Sequence, residues 1–194
     1  MIIILTRIKI KIELRICKII CRTNNSNNYI ILKIIMAAYL VSTRFNDETW
    51  EENSNYRTKH KIQCIYGTPL EFPPNICIDA NVFVVEMNNT QNKIEGIGLV
   101  KNRPCMDKYY RIYQEGNYNR YIYKSDYHLS RDQLLVLNEE FVSIFDYILF
   151  KGKAHLKRGS GFTSITEKIM KRHSICENKN MIRTLRELFI EYYR

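Results

Sequence analysis

The densest group of side chains suited to ligand binding is a run of tyrosines in the middle of the chain. Seven of the fourteen tyrosines lie between positions 109 and 127, with two arginines and a lysine among them. Nucleobases stack on tyrosine rings, while arginine and lysine neutralise phosphate groups. The competing interpretation is that tyrosine simply favours β-strands. The residues that we expect to contact nucleic acid here are Tyr109, Arg111, Tyr113, Tyr118, Arg120, Tyr121, Tyr123 and Lys124.

A second candidate is the basic, glycine-rich segment 151–161, which holds four lysines or arginines and three glycines within eleven residues. Glycines let backbone N–H groups approach an anion, and the N-terminus of a following helix adds a favourable dipole. The glycine and lysine spacing of a P-loop is absent. The competing interpretation is a solvated connector after a helix. We predict that this loop adds Lys153, His155, Lys157 and Arg158 to the binding surface.

The sequence contains no recognisable catalytic or metal-binding motif. The four histidines are scattered, and the six cysteines form no CxxC pair, so we predict no metal site and no cofactor. Glu86 and Glu95 flank a predicted hairpin turn, where we expect a surface ion pair with Lys93 or Lys101. The alternative is a nuclease-like set made of Glu86, Glu95 and Lys101. Because no partner motif accompanies these residues, we expect a protein without catalytic activity.

Strand patterns occupy the first two thirds of the chain after residue 36. Period-two alternation and turn residues predict a β-hairpin in two places. Gly96 and Gly98 lie inside one predicted strand, which indicates a bulge or a close backbone approach. The predicted strands are Tyr39–Phe45, Lys61–Tyr66, Asn81–Met87, Lys93–Lys101, Tyr109–Gln114 and Asn119–Lys124.

Helical periodicity follows the strands. Ser130 and Gln133 form a capping box, and apolar residues then recur at helical spacing through Asp132–Phe150. A last amphipathic helix surrounds Leu185 and Phe189. We expect the α+β class, with a small curled or barrel-like, mostly antiparallel sheet and the C-terminal helices packed on it. The helix residues that we expect to face the sheet are Leu137, Phe141, Ile144, Phe145 and Ile148.

The formal net charge of +10 is unevenly distributed, with +6 in residues 1–35, −3 in 36–100 and +6 in 101–172. Residues 1–35 are rich in Ile, Lys and Asn, and we predict a disordered or spurious extension before a single domain at 36–194. A targeting peptide or a basic tail are the alternatives. Lysine and arginine interrupt this segment too often for a membrane span. Since there is no secretory signal, we predict an intracellular protein with reduced thiols.

Four stretches of the sequence are distinctive, namely 82–89 (VFVVEMNN), 95–102 (EGIGLVKN), 117–121 (NYNRY) and 150–159 (FKGKAHLKRG). They resemble an uncharacterised protein family of giant and other large cytoplasmic DNA viruses. The resemblance implies a location in the host cytoplasm, the viral factory or the virion. The hairpin 82–100 also resembles the strand-turn-strand of PUA-like and EVE-like barrels, which bind RNA or modified bases in an aromatic pocket.

Together these features predict a non-catalytic nucleic-acid-binding module, and the choice between RNA and DNA stays open. The resemblances imply a viral origin and a ligand of the RNA or modified-base type. Two alternatives belong to other classes of protein. The first is a nuclease-like or nucleotide-processing enzyme. The second is a viral interaction or virion protein whose basic loop binds an acidic partner.

Overall fold

A five-stranded mixed sheet lies at the centre of the structure, a computed structural model that describes residues 34, 36, 37, 39–151, 155–171 and 180–194. Its strand order is β6-β4-β3-β1-β7, and strands β2 and β5 form a separate two-stranded ribbon. The strands are β1 (Tyr39–Phe45), β2 (Cys64–Thr68), β3 (Asn81–Asn88), β4 (Lys93–Lys101), β5 (Tyr121–Ser125), β6 (His128–Ser130) and β7 (Thr163–Ser164). The α-helices are α1 (Asp47–His60), α2 (Arg131–Phe150), α3 (Glu167–Lys171) and α4 (Met181–Tyr193).

The pairing of the central strands shows that the sheet is open and mixed. Strand β1 runs parallel to β3, because α1 and β2 lie between them in the sequence and return the chain to the same end of the sheet. The other pairs, β1–β7, β3–β4 and β4–β6, are antiparallel. The α+β class is confirmed. The predicted barrel is wrong, because the strands form an open sheet and a separate ribbon rather than one closed surface.

The two faces of the sheet bury different partners. Phe83 and Val85 of β3 face the core that is shared with α2 and α4. Val82 and Val84 face the ribbon and the segments around it. Strand β3 is therefore apolar on both faces, as expected for a strand that is covered from both sides.

Helix α2 packs on the sheet largely as predicted. Its capping box between Ser130 and Gln133 is present. The helix is interrupted at Asn138, whose φ of −163° and ψ of 89° are not helical, and its Oδ1 accepts a hydrogen bond from the Phe141 N–H at 2.9 Å. Asn138 thus caps the second half of the helix. Leu137, next to this interruption, is half buried, while Phe141, Ile144, Phe145 and Ile148 are buried as predicted.

A helix follows β1 directly. Asn46 is its N-cap, and the Asn46 side chain accepts from the Thr49 N–H at 2.8 Å. The helix runs for 14 residues and ends at Lys61, which has a left-handed backbone with φ of 55°. Asn46 and Thr49, at its start, line one surface cavity, and residues from Trp50 to Lys61 line a second one.

The prediction for residues 1–35 falls almost entirely outside the described residues and stays a prediction. Ile34, which belongs to that segment, is fully buried in the core that is shared with α2 and α4. The carbonyl of Ala37 accepts a hydrogen bond from Arg186 of α4 at 2.9 Å. In the described part of the chain, no helix is both long and apolar enough to cross a membrane.

Candidate nucleic-acid interface

The tyrosine segment forms a compact turn instead of the predicted hairpin. Residues 109–114 form no strand, and β5 pairs with β2. The buried side chain of Asn119 accepts from the N–H groups of Ile112 and Tyr113 at 2.9 and 3.0 Å, and it donates to the Tyr113 carbonyl at 2.7 Å. Because one amide satisfies these backbone groups, the segment needs no partner strand.

Helix α1 holds the Tyr113 side chain in place through a hydrogen bond. The buried Asn53 donates from Nδ2 to the Tyr113 hydroxyl at 2.9 Å and to the Ile65 carbonyl at 2.8 Å. Burial raises the pKa of Tyr113 above its ordinary value. Its ring meets the ring of Tyr118 edge-on, with centroids 6.0 Å apart. Tyr118 itself is 37% exposed, so it can offer part of its ring to a ligand.

Gly67 brings the short 3-10 helix Gly116–Asn119 close to strand β2. A Cβ atom at this position would overlap the Tyr118 carbonyl oxygen and lie 2.9 Å from a ring carbon of Tyr113. The absence of a side chain at position 67 therefore sets how closely the two tyrosines approach the ribbon.

The basic loop is fastened to the same end of the sheet by Arg44. This guanidinium donates to the Leu156 carbonyl at 2.6 Å, the Gly161 carbonyl at 3.3 Å and the Thr163 hydroxyl at 2.7 Å. Asn89, in the β3–β4 turn, donates to the Lys157 carbonyl at 2.9 Å. Burial lowers the pKa of Arg44, although an arginine remains charged in a protein.

A pocket of about 170 Å³ lies between the tyrosine turn and this loop. Tyr113 and Tyr118 form one part of its wall, and Gly159 and Gly161 form another. For comparison, an apolar cavity of roughly 150 Å³ holds a benzene ring. The remaining lining residues are Thr43, Arg44, Phe45, Asn46, Thr49, Gly67 and Asn89, so the pocket combines aromatic surface, amides, hydroxyls and one cation.

Part of the predicted tyrosine segment and part of the predicted basic loop meet at this pocket. Tyr113 and Tyr118 line the pocket, and the loop that closes it carries half-buried His155 and Lys157 and exposed Arg158. Lys153 lies outside the described residues. Predicted residues that are exposed or half buried but do not line the pocket are Tyr109, Arg111, Arg120, Tyr121 and Lys124.

Tyr123 is not available to a ligand. It is 1% exposed, and its ring meets Phe72 and Phe162 edge-on at 4.6 and 5.5 Å between centroids. Ile122, on the other face of β5, is buried as well. The ribbon is covered on both faces, by Tyr113 and by the aromatic core, so Tyr123 stabilises the fold.

Arg120 and Lys124, which do not line the pocket, already contact neighbouring side chains. The Arg120 guanidinium lies 5.3 Å from the centroid of the Tyr121 ring, which is half buried. Lys124 makes an ion pair with Asp107 at 3.7 Å and contacts the Tyr110 hydroxyl. A nucleic-acid strand would have to compete with these contacts.

Glu86 is buried, which contradicts the predicted surface ion pair for this residue. Its carboxylate accepts from Tyr66 at 2.8 Å, lies 2.9 Å from His128 Nε2, and pairs with Arg57 at 3.3 Å. Burial raises its pKa, but the interactions with His128, Arg57 and Tyr66 outweigh burial, so the pKa lies below its ordinary value. Glu95 does pair with Lys93, at 3.4 Å, as predicted.

The nuclease-like set is not assembled. Lys101 pairs with Asp79 at 3.7 Å, at the end of β4 that faces Asn81. Glu86 lies opposite Gly96 of β4, and Gly96 is five residues from Lys101 along that strand. At about 3.3 Å per residue, the two positions are roughly 17 Å apart. Glu86, Glu95 and Lys101 therefore cannot act on one phosphodiester.

Sequence reasoning missed the residues that build the pocket walls. Arg44 and Asn53 form hydrogen bonds to groups far along the chain, and Asn119 binds backbone groups six and seven residues before it. None of these contacts leaves a recognisable pattern in the sequence. The close approach at Gly67 was not predicted, because the predicted strand Lys61–Tyr66 ends before this glycine, whereas β2 continues to Thr68. In the described residues, no group of three or more His, Cys, Asp or Glu side chains is arranged to hold a metal ion.

No protein-family model matches the chain, and no curated protein and no solved structure is significantly similar to it.

Proposed function

We propose that this protein is a non-catalytic nucleic-acid-binding module that takes one base of a single strand into the tyrosine-lined pocket. The observation that carries the proposal is the shared pocket itself. Two segments far apart in the sequence, at Tyr113–Tyr118 and at Gly159–Gly161, meet around one cavity of ring size. A solvated connector would have no need to be held there by Arg44.

The pocket chemistry suits a base better than a plain apolar group. Tyr118 offers an exposed aromatic surface for stacking, and Asn46 and Asn89 place amide groups in the wall. Base–aromatic stacking contributes roughly 1–3 kcal/mol per base. Lys157 and Arg158 stand on the loop beside the pocket, where they could contact the phosphates that flank the base.

The type of nucleic acid and the viral origin are part of the same proposal. A pocket for a single base fits the PUA-like and EVE-like resemblance, whose barrels bind RNA or modified bases, and viral origin rests on the sequence resemblance alone. RNA, DNA and strands with a modified base are therefore the ligands to compare.

Fluorescence titration of the full chain with labelled single strands at several salt concentrations tests the proposal. Tyr118→Ala should weaken binding by roughly 1–3 kcal/mol with an unchanged salt dependence, because stacking is not ionic. Tyr109→Ala is the matched control, since Tyr109 is 71% exposed and does not line the pocket.

The double variant Lys157→Ala, Arg158→Ala should instead make the slope of log K against log salt less steep by roughly 1–2. If no single strand binds at low salt, the nucleic-acid proposal fails and an acidic protein partner becomes the better explanation of the basic loop.

A further inference from the structure

A second, larger cleft of about 410 Å³ lies along helix α1. Trp50, Ser54, Arg57 and Thr58 form its helical wall, since residues at these intervals share one face of a helix. Lys61, at the end of the helix, extends the same wall. The opposite wall comes from strands β4 and β6, and it contains Glu95, His128 and Ser130.

Arg57 is held rigidly at the base of this cleft. Its Nη1 pairs with buried Glu86 at 3.3 Å, and its Nη2 lies 3.1 Å from His128 Nδ1. The side chain is still 15% exposed, and a guanidinium has five N–H groups, so donors remain for a ligand. A cation that is fixed in this way loses little conformational freedom when it binds.

The charged group of the cleft that is still available to a ligand is a cation. Within the described chain, the exposed Lys61 ammonium has no ion-pair or hydrogen-bond partner. The carboxylate that lines the cleft, Glu95, is already engaged by Lys93 at 3.4 Å and by Asn88 at 2.8 Å. The hydroxyl groups of Ser54 and Ser130 add neutral donors.

We infer that this cleft binds a phosphate group through Arg57 and Lys61. Phosphate suits the site because it accepts several charge-assisted hydrogen bonds at once. It can belong to a free phosphate ester or to the backbone of a strand whose base occupies the tyrosine-lined pocket. Only the second source rests on the proposed function.

The only tryptophan in the chain, Trp50, lines the cleft, so its emission should change when the cleft is occupied. Because the Trp50 ring also meets Phe45 of the tyrosine-lined pocket at 5.2 Å, the change is assigned to the cleft by its loss in a variant of Lys61. The probes are inorganic phosphate and an unlabelled single-stranded oligonucleotide, each added to the full chain. The test variant is Lys61→Gly, which removes the ammonium and favours the left-handed backbone found there. The control is Lys59→Ala, at an exposed residue of the same helix that does not line the cleft.

If the ligand is a free phosphate ester, inorganic phosphate should change Trp50 emission in a saturable way. Binding should be about tenfold weaker in Lys61→Gly and unchanged in Lys59→Ala, as expected when one charge-assisted contact is lost. If the phosphate belongs to a strand, the oligonucleotide alone should change the emission, and Lys61→Gly should lower its salt slope by about 1.

The inference is overturned if neither probe changes Trp50 emission, or if Lys61→Gly responds to both probes as the unmodified chain does. Tyr118→Ala separates this result from the proposed function, because Tyr118 does not line the cleft. If Tyr118→Ala leaves oligonucleotide binding unchanged while Lys61→Gly weakens it, the base pocket is refuted and the phosphate cleft is supported.

Discussion

Gly67 lies directly beneath the backbone carbonyl of Tyr118, and a Cβ atom at position 67 would overlap that oxygen. Gly67→Ala should therefore displace the 3-10 helix, lower the free energy of unfolding by about 1–3 kcal/mol and weaken single-strand binding. Gly116 begins the same 3-10 helix, but no atom lies within 4 Å of its would-be Cβ. Gly116→Ala is thus the matched control, and both changes are measured by denaturant unfolding and by strand titration. Equal stability of the two variants would contradict this packing.

Arg44 should hold the basic loop in its binding position. Arg44→Lys keeps the positive charge but cannot reach all three acceptors, so the local stability of residues 156–163 should fall by about 1.5–3 kcal/mol, the range for hydrogen bonds to a charged group. Native-state hydrogen exchange of these amides measures the loss. The comparison is Arg183→Lys, whose pair with Glu187 is on the surface of α4. Unchanged exchange in the loop after Arg44→Lys would show that the loop is held by other contacts.

The buried Glu86 should make the fold sensitive to acid. Because the folded pKa of Glu86 lies below its ordinary value, its contribution to stability is complete above that ordinary value and is lost as the pH falls through the folded pKa. Glu86→Gln leaves Arg57 without its partner and should cost about 3–5 kcal/mol near neutral pH.

The difference in unfolding free energy between Glu86→Gln and the unmodified chain should shrink below roughly pH 4.3, the ordinary value for glutamate. Urea unfolding at several pH values measures this, with Glu187→Gln on the exposed face of α4 as the control. A difference that stays constant with pH would show that the ionised form of Glu86 is not the stabilising one.

The sequence predicts the regular elements well where local patterns are complete. The bounds of β1 and β4 agree with the prediction at both ends, and α2 begins one residue before the predicted start. Alternation along a strand and a capping box at a helix start are local signals. Gly98 also behaves as predicted, because a Cβ there would overlap the Tyr66 hydroxyl.

The failures concern contacts that have no local signature. The pattern of residues 109–114 fits a strand, but Asn119 satisfies its backbone groups, and β5 takes β2 as its partner. The sequence does carry a local signal for the burial of Glu86. It shares strand parity with Val82 and Val84, so the same alternation that buries these valines places its carboxylate inside.

Photo-crosslinking with a single strand that carries iodouridine, followed by mass spectrometry of the modified peptide, tests the base pocket most directly. The proposal predicts that the crosslink falls on Tyr118 or Tyr113 and is lost in Tyr118→Ala or in the presence of excess unlabelled strand. A crosslink that maps to Tyr109, or one that survives Tyr118→Ala at the same yield, would contradict a base-binding role for the pocket between the tyrosine turn and the glycine-rich loop.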